Sequence, residues 1–437
     1  MEEMTTKGNF AKYVSLSVMG MLGLSCYILA DTFFVARGVG ATGLTALNLA
    51  IPIYSFMNGV GLMIGMGGGT RFALTGNKGV FTQALYYGGL AAVFFLVLGI
   101  FGSKFLAVLL GGDGETLDYT VTYLRTILAF SPMFLLNNIL LCFVRNDGNP
   151  KLSMTAMLVG SGANVVLDYI FIFPFSMGMF GAAFATGLAP IISIMILSVQ
   201  FIKKKNTVMP MKLKPSLGRF VDISSLGLPA LIVEFSSGIV IIVFNGIILS
   251  LAGNIGVAAY GIIANIALVV IAIFTGIAQG VQPLLSNAYR HGQSAEVAKL
   301  FRKSCVLAVL VASLTYLTVF LFSEPIVSAF NKEGDPVLFA IGVGGIRLYF
   351  SGFIFAGINI LCANYFSGTD RPRNAFWISF LRGFAVIIPM AFLLSVLFAL
   401  KGVFLAMTVS EGLVLLISLW LKNKEKQPGS ILQKSEN

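Results

Sequence analysis

Of the 437 residues, 57% are hydrophobic and only 11% charged, and the mean hydropathy is +0.91. A water-soluble domain of this length could not bury so much apolar surface, because about half of its residues would be expected to be polar or charged. The net charge of +11 would suit a nucleic-acid partner, but the basic residues gather in alternate loops between apolar runs, which makes them reporters of membrane topology instead.

Twelve such runs follow one another, near 12–36, 43–70, 83–111, 119–144, 151–175, 178–202, 223–250, 257–285, 304–330, 337–366, 374–399 and 402–421. A spanning helix needs about 20 mostly apolar residues. The runs are too long, and alternate too little, for barrel strands. The first run carries Asp31 and no small-x-small cleavage site, so it reads as a span and not as a signal peptide. Arg71 and Lys78, Arg145 and Lys151, Lys203 to Arg219, Arg290 to Lys303, and Arg371 and Arg373 occupy every second loop, and Lys422, Lys424 and Lys426 open the tail. Asp113, Glu115 and Asp118, then Glu324, Glu333 and Asp335, occupy alternate ones. The positive-inside rule then predicts both termini in the cytoplasm. Cys26, Cys142, Cys305 and Cys362 are scattered, with the spacing of neither a disulfide frame nor a metal site.

The chain repeats itself. A shift of 222 lays Gly112 on Gly334, Asp113 on Asp335, Arg125 on Arg347, Asn137 on Asn359 and Pro150 on Pro372. Each half holds six runs, an even number, so the halves share one orientation about an axis normal to the membrane. The expected organisation is an N-terminal lobe over 1–202, a basic, hinge-like linker over 203–222, a C-terminal lobe over 223–421 and a tail over 422–437. Two similar lobes can rock to open a cleft on either side in turn.

A charge at membrane depth costs about 2.5–3.5 kcal/mol on insertion scales, so each one requires a reason. Counted from Lys12 and Pro150 respectively, Asp31 and Asp168 lie about 28 Å and about 27 Å along their helices. Both fall in the first lobe. Asn164 is one turn from Asp168, Thr186 descends past it on the next run, and Asn137 and Asn138 add amides from the fourth. The second lobe holds Glu234, Arg347, Arg382 and Glu411, whose charges can neutralise one another. Against Asp31 and Asp168 the first lobe sets only Arg125 among the deep basic residues, leaving one acid without an evident partner. These acids are therefore the expected carriers of a coupling proton, with Asn164, Asn138 and Thr186 as hydrogen-bonding support. The plainer alternative is that Arg125 and the amides use them to pin helices together.

At these residues the sequence resembles the multidrug and toxic compound extrusion (MATE) family, of the multidrug/oligosaccharidyl-lipid/polysaccharide exporter superfamily. The resemblance rests on Asp31 followed by TGLTALNLAIPI, on GLMIGMGGG and DGNPK, on NVVLDYIFIF with Asn164 and Asp168, and on GMFGAAFAT with Thr186. LGLPALIVE with Glu234 and GIAQGVQPL continue it. It implies an all-α integral membrane protein, a V-shaped pair of six-helix bundles. It further implies export of small amphiphilic, often cationic compounds by a multi-pass protein of the bacterial cytoplasmic (inner) membrane. The drive would be inward protons or sodium ions, with rocker-switch alternating access. Cation coupling would fall on Asp31, Asn164, Asp168 and Thr186, less directly on Asn138. No cofactor, metal centre or nucleic-acid partner is implied; membrane lipids are the expected surroundings and a monomer the expected state.

Two departures bear on the coupling ion. The proton-coupled branch usually has a proline in helix one, and SLSVMG around Leu16 has none, so a bend would rely on Gly20 and Gly23. The sodium-coupled branch pairs an acid on helix seven, as Glu234 would be, with one on helix ten, where this chain offers Asn359 and Asn364.

Enzymatic readings find little support. There is no Gly-Lys dipeptide for a phosphate loop and no DDxxD run, and the single histidine, His291, cannot form a zinc pair. A channel would call for a symmetric charged or carbonyl-lined pore. The serious rival is a flippase for lipid-linked saccharides or cell-wall precursors. Its anionic headgroups would call for free arginines; arginines locked against acids would argue against it.

Overall fold

The computed structural model describes residues 6–204, 206–331 and 334–424, which fold into helices joined by short turns. Lys205, Glu333, Lys426 and the rest of the tail beyond Lys424 lie outside the described residues. In chain order the helices are α1 (Thr6–Gly38), α2 (Ala41–Thr75), α3 (Gly79–Leu109), α4 (Gly114–Ala129), α5 (Ser131–Asn146), α6 (Pro150–Ile172) and α7 (Gly178–Ile202). Then come α8 (Leu217–Arg290), α9 (Ser294–Leu321), α10 (Ser323–Phe330), α11 (Pro336–Tyr349), α12 (Phe353–Gly368), α13 (Pro372–Phe380) and α14 (Ile387–Asn423).

Among the described residues, nine helical stretches are long and apolar enough to span a bilayer, or ten when the bent pair α4–α5 counts as one. Two of these are double: α8 turns at Gly253 (φ 61°, ψ −160°), and α14 turns at Phe398 and Ala399. Counted so, the spans number twelve, in the places where the apolar runs lie. The turn in α8 requires glycine, because a side chain at that positive φ would strike its own backbone.

The repeat is visible in the irregularities. The α4–α5 span bends by 50° at Phe130, and the position 222 residues later, Gly352, ends the short 3₁₀ turn Phe350–Gly352 that joins α11 to α12. Asp113 and Asp335 stand as N-caps of α4 and α11; Asp335 accepts from the backbone N–H groups of Val337 and Leu338. α1 is unbroken, and its Gly20 and Gly23 let it approach Met157 and Leu158 of α6.

Contacts divide the chain into two compact units, Met1–Phe235 and Ser236–Asn437. In the first, α1, α6 and α7 pack on one another, and α2 packs on α4 and α5. The beginning of α8 belongs to this unit. A Cβ on Gly67 would fall on the Ile223 carbonyl and one on Gly227 on the Met63 carbonyl, so the two helices touch backbone to backbone. Arg71 pairs with Asp222 at the end of that crossing.

The basic stretch, expected to be hinge-like, is strapped to the first unit. Asp147 accepts from the Thr207 N–H (2.8 Å) and hydroxyl. The Thr82 hydroxyl accepts from the Met211 N–H (2.8 Å), Gln83 donates to the Lys214 carbonyl (2.7 Å), and Tyr87 donates to that of Ser216 (2.7 Å). In the second unit α12 lies against α9, α13 and α14, and α11 against α14.

Candidate functional site

α1, α6 and α7 bring four of the expected residues together in the first unit. Asp168 and Asn164 are fully buried, and Thr186 and Asp31 nearly so. The i, i+4 spacing puts Asn164 and Asp168 on one face of α6. With its amide oriented to satisfy both sides, Asn164 donates to Asp168 Oδ2 (3.0 Å) and accepts from the Thr186 backbone N–H (3.3 Å). The Thr186 hydroxyl returns to the Ala182 carbonyl (3.0 Å), which fixes its rotamer. Asp168 lies within electrostatic reach of Asp31. Asp31 Oδ1 and Asp168 Oδ1 accept no hydrogen bond among the described residues.

Arg125 does not join them. It is exposed, and no ion pair ties it to Asp31 or Asp168 among the described residues. The helix-pinning alternative loses its counterion and keeps only its amide part, Asn164. Its place near the acids is taken by tyrosines that the sequence reading passed over. Tyr123, two residues before Arg125 and on the opposite side of α4, reaches Thr186 and stands in the field of both carboxylates. Tyr27, one turn before Asp31, shares a hydroxyl–hydroxyl hydrogen bond with Tyr54 (3.2 Å). The signal available in the sequence was a tyrosine within an apolar run, one turn from an acid, whose hydroxyl needs a partner when buried.

Asn138 belongs to a neighbouring group. Its Nδ2 donates to Asn58 Oδ1 (2.9 Å), and Asn58 Nδ2 donates to Glu234 Oε2 (3.5 Å). Glu234, expected in the C-terminal lobe, thus packs within the first unit, because the start of α8 crosses α2 there. Tyr54, bonded to Tyr27, feels the charges of both Glu234 and Asp31. Asn137 lies on the same helix as Asn138, and its Oδ1 accepts no hydrogen bond among the described residues.

In the second unit the charges are engaged. Arg382 lies in a π-turn, Leu381–Ala385, where the extra residue re-aims the side chain. It grips Glu411 through Nε (3.1 and 3.3 Å) and Nη2 (2.8 Å). Asn359 adds a bond to Glu411 Oε2 (2.8 Å) and is held in turn by Ser418 (3.0 Å). Arg347 donates to Ser323 Oγ (3.0 Å), lies 3.7 Å from Glu324 and covers the Phe320 ring. Asn364 donates to the Ala278 carbonyl (2.7 Å).

Twelve spans in two repeated units, with a pair of buried acids in one of them, define a polytopic α-helical membrane protein with an intramembrane carboxylate centre. A family model described as MatE matches residues 17–170 and 229–393, and the chain belongs to that family. The multidrug export protein MepA of Staphylococcus saprophyticus is 26% identical over 411 residues, covering 92% of this chain and 90% of that one. MepA of Staphylococcus aureus is 29% identical over 423 residues, covering 93% and 91%. Among solved structures, a MATE protein in complex with MaL6 matches with a TM-score of 0.88 at 21% identity, covering 95% of each chain. An outward-facing multidrug resistance MATE family transporter of the MOP superfamily matches with a TM-score of 0.87, also at 21% identity and 95% of each chain. The structural likenesses establish the MATE transporter fold.

Proposed function

We propose that the chain is a secondary active exporter of amphiphilic, cationic organic compounds, driven by protons that load on Asp31 and Asp168. The observation that carries this reading is the pair of buried carboxylates on α1 and α6, each keeping one oxygen without a hydrogen bond among the described residues. Both are buried in apolar surroundings and neither is in an ion pair among the described residues, so the charged form has little to offset its desolvation. Asn164 and Thr186 leave one side of Asp168 open while fixing the other, as a reversible proton site requires. The curated relatives, named as multidrug export proteins, support the substrate class. The two repeated units support rocker-switch alternating access across a bacterial cytoplasmic membrane, with basic loops and termini inside.

A sodium-driven version has its own supporting observation: Glu234, Asn58 and Asn138 gather carboxylate and amide oxygens, the ligands hard cations take. Of the three arginines a flippase could use, Arg382 is committed to Glu411 and Arg347 to Ser323 and Glu324, which disfavours that reading, while Arg125 alone is exposed and outside any ion pair among the described residues.

Reconstitution in liposomes with an organic-cation dye, under a proton or a sodium gradient applied separately, tests the proposal. Proton-driven movement that is lost in Asp31→Asn and Asp168→Asn and kept in Glu234→Gln is the expected result. Sodium-driven movement that depends on Glu234 would overturn the assignment of the coupling site. Absence of movement under either gradient would remove the exporter reading itself.

A further inference from the structure

The first unit carries an apolar groove with a volume near 500 Å³, lying between α2, α3 and the start of α8. That lies within the about 300–1,000 Å³ of ordinary ligand sites. Met63 and Ile64 form its floor, Leu90 and Ala91 one wall, and Leu217 and Phe220 the other. Tyr87 and Ser216 also line it, and their polar atoms bond to each other and, for Tyr87, to Gln83 (2.5 Å). What faces the groove is therefore hydrocarbon.

Two observations identify the occupant. The groove opens at Leu90, which is 68% exposed and begins the stripe Leu90, Val93, Phe94, Val97, Phe101 and Phe105, exposed at helical spacing along α3. Such a stripe of large apolar side chains is a lipid-facing surface, so the groove is a side chamber of the bilayer. At its other end lie exposed bases. Lys78, Lys212, Lys214 and Arg219 make no ion pair among the described residues, and the Arg219 guanidinium lies beside Gly79, 3.8 Å from where a Cβ would be. Asp222, the acid nearest in sequence to Lys212, Lys214 and Arg219, is already engaged by Arg71. An apolar chamber open to lipid, with uncompensated cations at its polar mouth, matches a single-chain-plus-anion ligand.

We propose that this groove is a binding site for an anionic phospholipid, with an acyl chain between α3 and the start of α8 and its phosphate against Lys214 and Arg219. The strap places those bases: Gln83 and Tyr87 hold the backbone of Lys214 and Ser216 against α3, from which the exposed Lys214 side chain extends. The site is independent of the transport proposal, since neither carboxylate group contributes to it.

The test uses the full chain in bilayers, with Trp377→Phe and Trp420→Phe removing the native tryptophans and Leu90→Trp as reporter. Quenching by brominated phosphatidylglycerol is compared with quenching by brominated phosphatidylcholine. Preferential quenching by phosphatidylglycerol is expected. That preference should fall about fivefold for each charge removed in Lys214→Gln and Arg219→Gln, and hold in Arg302→Gln/Arg373→Gln. Equal quenching by the two lipids would overturn the proposal. So would a preference that survives the double substitution at Lys214 and Arg219, since it would report only the general basicity of the protein.

Discussion

Replacing Glu411 by Gln removes the anion that Arg382 grips through three contacts, the shortest 2.8 Å, in a place where the two side chains are 10% and 5% exposed. The Gln amide oxygen can still accept one bond from Arg382, and Asn359 keeps its bond to the backbone carbonyl of residue 411 (2.9 Å). What remains is a buried guanidinium without a counterion, and breaking such a pair from one side costs about 3–5 kcal/mol; the surviving bonds put this case near the lower end. Removing both charges, in Arg382→Met/Glu411→Gln, takes away the unpaired ion and should recover most of the loss. Thermal unfolding of the purified protein would register the single substitution as a fall of roughly 3–4 °C, and the double one as much less. If the double variant is no more stable than the single, the pair is not a closed electrostatic unit. If Glu411→Gln is as stable as the parent but loses transport, Glu411 belongs to the transport cycle and the idea of a static second unit is wrong.

Arg125→Gln should leave proton-driven dye transport within about twofold of the parent, because the side chain is exposed and away from both acids; a loss as large as that of Asp168→Asn would restore it as a counterion. Gly227→Val sets a branched side chain on the Met63 carbonyl, and overpacking of this kind costs about 1–3 kcal/mol or more. Its yield of folded protein should drop, while Gly246→Ala, where a Cβ meets nothing within 4 Å, should not change it. Gln83→Leu deletes the bond to the Lys214 carbonyl. Trypsin should then cut faster after Lys212 (Lys214 precedes Pro215 and is resistant), with other sites unaffected as an internal control.

The spans and the repeat were legible because both are written in composition and spacing: lipid imposes length on each apolar run, and duplicated turns keep their Gly, Asp and Pro. The bend at Phe350–Gly352 was not, since it lies inside an apolar run; the one at Phe130 had a signal in Ser131-Pro132, which opens α5. Asp31, Asn164, Asp168 and Thr186 could be grouped because depth and helical phase follow from counting residues. Arg125 was misjudged on the same principle. Depth places it with the acids, but phase turns Tyr123 toward them and Arg125 away. Asn138 could not be separated from the first group without knowing that α2 carries Asn58 past it. The allegiance of Glu234 was hidden for a related reason: a repeat boundary records where a sequence was duplicated, whereas contacts record where the chain packs.

That last difference bears on how the molecule could be divided. Cut at the repeat boundary, the N-terminal piece would end before residue 217 and lose the arm that lies bare against Gly67, along with Asp222, the partner of Arg71. The first half, as the repeat delimits it, is not a self-sufficient module. The first has come to borrow the opening turns of the second, and swapping whole repeats between relatives would succeed only if residues 217–235 travel with the half they serve.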